Sequence, residues 1–271
     1  MTAPRLFARL RDLLAEPRMA EVDLESPARI AVHRAILRDK IMLRGVFEEI
    51  YRLSAALDER YFWAEGRRIE LGSGASFMKE IFPAVVATDV KPAAHLDLVA
   101  DAQALPLRPG SVRAFYALDC FHHLARPEDF FTELDRTLKP GGGCILIEPY
   151  YGPAARFLYK RLFASEDFDP AAPSWGSSNE SMGAMRGANQ ALSYIVFTRD
   201  RARFEARYPG LKIVLQRPLA NYLRYLASGG LNFRALVPAA AAPLIRACEW
   251  ALRPLARVFA LHHVIVLRKE L

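Results

Sequence analysis

Cysteine is scarce in this chain: Cys120, Cys144 and Cys248 are three residues in 271, far apart and without a CxxC pair. That spacing suggests neither a disulfide framework nor a thiolate zinc site, and it fits a reducing, cytoplasmic setting. Long apolar runs are missing as well. The longest, "ALVPAAAAPLI" and "VFALHHVIVL", fall short of the roughly 18 residues that a membrane span requires. The opening "MTAPRLFARLRDLLAEPR" mixes arginines with acids and reads as an amphipathic helix, not a signal peptide. The chain contains neither an internal repeat nor a low-complexity block. Acidic residues become rare toward the end: residues 201–271 hold 12 Lys plus Arg against 3 Asp plus Glu, whereas residues 1–200 hold 25 against 27. The net charge of +7 therefore arises entirely in the last quarter, and such asymmetry points to an anionic ligand or surface.

What is present is ample apolar material, 52% of the chain, enough for a sizeable core. Residues 1–62 read as a helical N-terminal segment packing on the rest. In "SPARIAVHRAILRDK", Ser26 is the predicted N-cap with Pro27 at the first helical position, and "IMLRGVFEEIYRLSAAL" comes next as a second amphipathic run. From residue 63 to the end, short β-rich runs alternate with helical ones. Strands are expected at "RRIEL", "AVVATDV", "LDLVA", "VRAFYALD", "CILIEPY", "LKIVLQRP" and "HHVIVLRK"; helices are expected at "SFMKEIF", "PEDFFTELDRTL" and "RDRARFEARYP". This alternation predicts an α/β fold with a doubly wound, mostly parallel sheet. Insertions are expected at about 151–195 and 219–258. The Ser/Gly/Asn/Pro-rich stretch 164–189 has the composition of a lid over the sheet's C-terminal edge.

The turn "ELGSGAS" after the first strand decides the cofactor. A dinucleotide fingerprint needs G-x-G-x-x-G, and Gly72 and Gly74 fit it, but the third position is Phe77. A nicotinamide-dependent oxidoreductase is therefore the weaker reading. Aligned as acidic-x-Gly-x-Gly, with Glu70 leading, the turn resembles the first motif of class I S-adenosylmethionine-dependent methyltransferases, in particular their small-molecule branch, type 11. A carboxylate beside the turn suits a ligand bearing an ammonium and a sulfonium. Three further segments agree in order: "ATDVKP", "ADAQALPL" and the long unit "RAFYALDCFHHLARPEDFFTELDRTLKPGGGCILIEP". The fold that the resemblance implies is Rossmann-like with an antiparallel last strand, and the cofactor is S-adenosyl-L-methionine. Asp89 would accept the ribose hydroxyls and Asp101 the adenine amino group, with the backbone near Ala102 at the ring edge. The implied cofactor site comprises Glu70, Gly72, Ser73, Gly74, Asp89, Val90, Asp101, Ala102, Asp119 and Cys120. Ser76 stands where the family has a third glycine. "DCFHHL" replaces the Asn/Asp-Pro-Pro-aromatic signature of enzymes that methylate amines of nucleic acid bases, which argues against such a substrate.

His122 and His123 are the catalytic candidates, as histidines able to take a proton from an acceptor, although in the family this string also shapes the cofactor pocket. Glu148 and Tyr150 read as a strand-end carboxylate and a lid aromatic. His262 and His263, adjacent on a strand, point to opposite faces and cannot share a metal; both read as structural, and no metal site is expected. The stripe Leu244, Ala247, Trp250, Ala251 and Leu255 reads as core packing, with a basic amphipathic helix on an anionic membrane surface as the alternative. The expected function is methyl transfer to a small-molecule, glycan or lipid-like acceptor. A non-catalytic S-adenosylmethionine-binding or assembly protein is the alternative, nucleic acid is disfavoured as a partner, and the oligomeric state is not legible.

Overall fold

The computed structural model describes residues 3–23, 25–163, 166–176, 188–220 and 222–270. Three helices lead: α1 (Ala3–Leu14), α2 (Ala28–Asp39) and α3 (Ile41–Tyr61). The alternating part runs β1 (Arg67–Leu71), α4 (Met78–Ile81), β2 (Val85–Asp89), β3 (Leu98–Val99), β4 (Val112–Leu118), α5 (Pro127–Thr137) and β5 (Leu138–Pro149). After α6 (Pro153–Arg161), α7 (Leu192–Tyr194) and α8 (Arg201–Arg207) come β6 (Leu211–Pro218), α9 (Tyr222–Ala227), α10 (Ala242–Ala251), α11 (Ala256–Phe259) and β7 (His262–Lys269).

The seven strands form one sheet in the order β3-β2-β1-β4-β5-β7-β6. All pairings are parallel except those of β7, which lies antiparallel between β5 and β6. Side chains alternate between two apolar layers, as strands buried on both faces require. Ile69, Leu71, Phe115, Cys144, Leu146, Ile265 and Leu267 face α5, α7 and α8. Tyr116, Ile145, Ile147, Val264 and Val266 face α2 and α3. The doubly wound sheet with an antiparallel last strand is thus the architecture the sequence predicts.

Local departures have local causes. The N-cap of α2 is Pro27, not Ser26 as expected, and Ser26 Oγ accepts the Ala28 N–H at 3.2 Å from one residue further out. "KPGGG" belongs to β5 as an irregularity, not to a separate turn, because the register with β4 jumps there. Gly141 has φ +79°, and a Cβ on it would stand 2.2 Å from Trp63 Nε1, so the end of α3 can pass over this strand only with glycine beneath.

The helical segment is tied to the sheet by Asp58, which is fully buried on α3. Its carboxylate accepts from Arg113 Nε at 2.8 Å, Arg68 Nε at 2.7 Å and the Tyr116 hydroxyl at 2.5 Å. The second insertion is tied to α3 by Arg224, whose guanidinium donates to Glu49 at 2.7 and 2.6 Å and to Glu249 at 2.5 Å.

Two expectations need correction. Part of the expected lid, 164–165 and 177–187, lies outside the described residues; the described part is pinned. Trp175 is buried, donates its indole N–H to Asp200 at 2.9 Å and meets Phe131 edge-on. The stripe on α10 is not core: Leu244 and Trp250 are 71% and 72% exposed, and Leu255 is 46% exposed. Arg224 draws Glu249 inward as the buried residue of α10, which turns the apolar stripe toward solvent.

Candidate active site

The carboxyl ends of β1, β2, β4 and β5 open into one cavity of about 380 Å³. Its wall contains Glu70, Gly72, Ser73, Gly74, Asp89, Val90, Asp101, Ala102, Asp119 and Cys120, together with His122 and His123. The residues singled out in the sequence for the cofactor and for catalysis are therefore gathered around a single space.

The β1 turn makes one end of it. Ser73 donates its hydroxyl to Glu70 Oε2 at 3.0 Å and accepts the Thr88 N–H at 3.1 Å, clamping the turn to β2. Gly72 has φ +62°, and a Cβ there would lie 2.5 Å from Cys120 Sγ. Only glycine lets the two strand-end turns pass this closely. Glu70 is buried, and burial pushes its carboxyl up to about 7; Asp89 adds to the rise, while the Ser76 and Ser73 hydroxyls and Arg34 oppose it.

Asp89 is aimed by two backbone amides, with Oδ2 accepting from Gly74 at 2.8 Å and Oδ1 from Lys91 at 2.9 Å. Asp101 Oδ1 accepts from the backbone and side-chain nitrogens of Gln103 at 2.8 and 3.1 Å. Each carboxylate keeps further lone pairs for a ligand.

At the end of β4, Asp119 has φ +48°, a left-handed conformation that non-glycine residues seldom adopt. Its Oδ1 lies 3.3 Å from His262 Nε2 and has no aligned hydrogen bond. His262 lines the cavity: the opposite-face rule that separates it from His263 is what turns it toward the site. His263 faces away, with its Nε2 2.9 Å from Ser193 Oγ, and burial pushes its imidazole down to about 3. The Cys120 thiol is pushed well up, by burial first and by Glu148 next, which leaves it inert as a nucleophile.

Glu148 organises the turn that carries the two catalytic candidates. From the end of β5, fully buried, it accepts the backbone N–H of Cys120 at 3.0 Å and of Phe121 at 2.8 Å, closing the 3₁₀ turn Phe121–His123. Its Oε2 stands 2.7 Å from His122 Nδ1, and Glu166 Oε2 stands 3.3 Å from His122 Nε2. Burial opposes the charged imidazole, but Glu148 and Glu166 together hold His122 well above its ordinary value. With a carboxylate at each ring nitrogen, neither nitrogen of His122 is turned toward an acceptor's proton. Glu166 is held down at about 2, burial being outweighed by the His122 and His123 imidazoles and Arg29.

The expectation of no metal-ligand cluster is corrected too. Among the described residues, donor atoms of His122, His123 and Glu166 all lie within 4.8 Å of one another. Sequence spacing hides this, because Glu166 returns from beyond β5. Sequence reasoning also missed the wall opposite the carboxylates: Arg29 and His33 from α2, Tyr159 from α6, Gln190, Tyr225 from α9, and Asn232. Nothing local marks them, since each reaches the cavity from its own helix or connection. The helical segment and both insertions thus contribute to the cavity wall together with the strand ends.

Residues 69–146 match a family model described as a methyltransferase domain. No curated protein matches the chain. Among solved structures, geranyl diphosphate C-methyltransferase from Streptomyces coelicolor A3(2) is 17% identical, with 84% of this chain and 83% of that one covered and a TM-score of 0.45. The putative methyltransferase in complex with the Haloferax volcanii Trm112 activator is 17% identical, covering 87% and 94%, with a TM-score of 0.49. Phosphoethanolamine N-methyltransferase 2 from Haemonchus contortus is 12% identical, covering 93% and 59%, with a TM-score of 0.45.

Proposed function

We propose, from the methyltransferase-domain match over residues 69–146, that the chain is a class I S-adenosylmethionine-dependent methyltransferase acting on a lipid-like acceptor at an anionic membrane surface. The residues suit the cofactor. Carboxylates stand around a cavity whose β1 turn has room only for glycine, an arrangement complementary to an ammonium and a sulfonium. Asp89 is assigned to the ribose hydroxyls, Asp101 and Ala102 to the adenine, and Glu70 with the 72–74 backbone to the methionine end. Bound there, S-adenosylmethionine supplies an electrophilic methyl group on a good leaving group. The chain's own task is then to align the acceptor and exclude water. His262, backed by Asp119, is assigned the acceptor's proton, and Tyr159, Tyr225 and α2 wall the acceptor off from solvent.

The observation that carries the lipid reading is the exposed face of α10 and α11. Leu244, Trp250, Leu255, Val258 and Phe259 are all exposed there beside Arg246, Arg253 and Arg257. Solvent-exposed apolar residues ringed by arginine suit the interface of an anionic bilayer. On α6, Phe157 is exposed as well, while Tyr159 reaches the cavity wall. Among the described residues no helix is long and apolar enough to cross a membrane, so contact by this face is peripheral. A glycan or other small acceptor would leave the exposed face without a role.

Three measurements test the reading. Wild type is expected to bind S-adenosylmethionine, with Asp89→Ala weakening it at least tenfold; absent binding, or undiminished binding by the variant, refutes the cofactor assignment. The chain is expected to sediment with phosphatidylglycerol vesicles but not with phosphatidylcholine vesicles, and Leu244→Ser with Trp250→Ser to abolish this. Equal partition to both vesicle types refutes the membrane reading. Labelled-methyl transfer into lipid extract separates an enzyme from a protein that only binds the cofactor.

A further inference from the structure

We propose that His122, His123 and Glu166 form a three-ligand site for a divalent transition metal ion of the zinc class, on the wall of the cavity.

The separations suit such an ion. A tetrahedral ion with bonds of roughly 2.0–2.2 Å holds its ligand atoms roughly 3.4 Å apart. His122 Nε2 and Glu166 Oε2 are 3.3 Å apart, and a nitrogen of His123 completes a set confined within 4.8 Å. Adjacent histidines on a strand would diverge, as His262 and His263 do. The 3₁₀ turn instead brings the rings of His122 and His123 to 4.1 Å between centroids.

The surroundings are those of a metal ligand as well. A ligating histidine usually donates its other N–H to a carboxylate, which fixes the tautomer and the ring's direction. Glu148 occupies that position, 2.7 Å from Nδ1 of His122 and itself locked by the Cys120 and Phe121 amides. With Nδ1 donating to Glu148, Nε2 faces Glu166 Oε2 at 3.3 Å and binds the ion in place of its proton. Charge agrees: Glu148 and Glu166 set two carboxylates against the two ring nitrogens of His122, at 2.7 and 3.3 Å, an excess of negative charge. A dication meets that excess. Two histidines and a glutamate leave a fourth position open, the pattern of sites that bind water or a substrate atom, whereas purely structural sites are closed. Since all three ligands line the cavity, the open position takes an oxygen, nitrogen or sulfur of a ligand bound there.

The test needs no knowledge of the acceptor and does not depend on the methyltransferase reading. Untagged full-length protein, stripped with chelator, is titrated with Co(II) and followed by its visible ligand-field bands, with Zn(II) as competitor. One equivalent of four- or five-coordinate Co(II), displaced by Zn(II), is expected. His123→Ala and Glu166→Gln are expected to weaken binding at least a hundredfold, and Glu148→Gln about 10–100-fold, as lost orienting carboxylates do. His122 is more deeply buried, so the two other ligand positions keep the test independent of a folding defect; circular dichroism verifies each variant. Wild type without such bands, or with bands undiminished in both His123→Ala and Glu166→Gln, overturns the proposal.

Discussion

Asp119 and His262 meet at the cavity wall with 3.3 Å between Oδ1 and Nε2, one at the end of β4 and the other at the start of β7. The contact spans two strands that are not neighbours, since β5 lies between them, and Asp119 has a left-handed φ of +48° at that point. Backbone strain retained at a cavity wall is what a positioned acid–base pair would show. His262→Ala is expected to lower methyl transfer by about 10²-fold or more, the usual contribution of a positioned proton acceptor. S-adenosylmethionine affinity should stay within a few fold. Turnover with labelled cofactor and equilibrium dialysis read the two effects separately, and an equal loss in both would remove the proton-accepting role.

Glu70 gives a pH dependence whose sign comes from burial. Its value rises from 4.5 to about 7 on folding, so the neutral acid stabilises the fold fully below 4.5, and this contribution is lost as pH rises through about 7. A cation bound beside it offsets the emerging charge. The rise in melting temperature caused by S-adenosylmethionine is therefore expected to grow between about pH 6 and about pH 8 in wild type, and to stay flat in Glu70→Gln. A parallel trend in both proteins, measured by differential scanning fluorimetry, would contradict this.

Gly72 leaves no space for a side chain against Cys120 and adopts φ +62°. Gly72→Ala should cost about 1–3 kcal/mol of stability from the backbone conformation alone, and it should weaken cofactor binding as the turn shifts. Urea unfolding measures the first effect. An unchanged midpoint would mean that the turn relaxes freely.

Arg113 is the buried partner of Asp58 and also donates to the Ala64 carbonyl at 2.8 Å. Arg113→Met removes the cation and leaves a carboxylate with reduced compensation, at a cost of about 3–5 kcal/mol. Adding Asp58→Asn should recover part of the loss, because the uncompensated charge goes with it. Additive losses in the double variant would show that the pair is not coupled.

The sequence by itself determined the sheet, its cofactor-side motifs and the order in which they come. Strand periodicity, the strand-to-helix turn at Gly72–Gly74 and the acids at strand ends are properties of short segments, and a parallel sheet carries the ends of its strands to one edge whatever the remote chain does. The extension of β5 back to Leu138 is not legible there, because the approach of Trp63 to Gly141 is not local. The same reason covers the other misses. Glu166 beside His122, His262 beside Asp119 and the outward turn of Trp250 each depend on where a distant segment comes back, and only tertiary packing decides that. Glu148 shows both sides: its place at the end of β5 is legible in "LIEP", whereas its clasp on His122 exists only because β4 and β5 lie side by side.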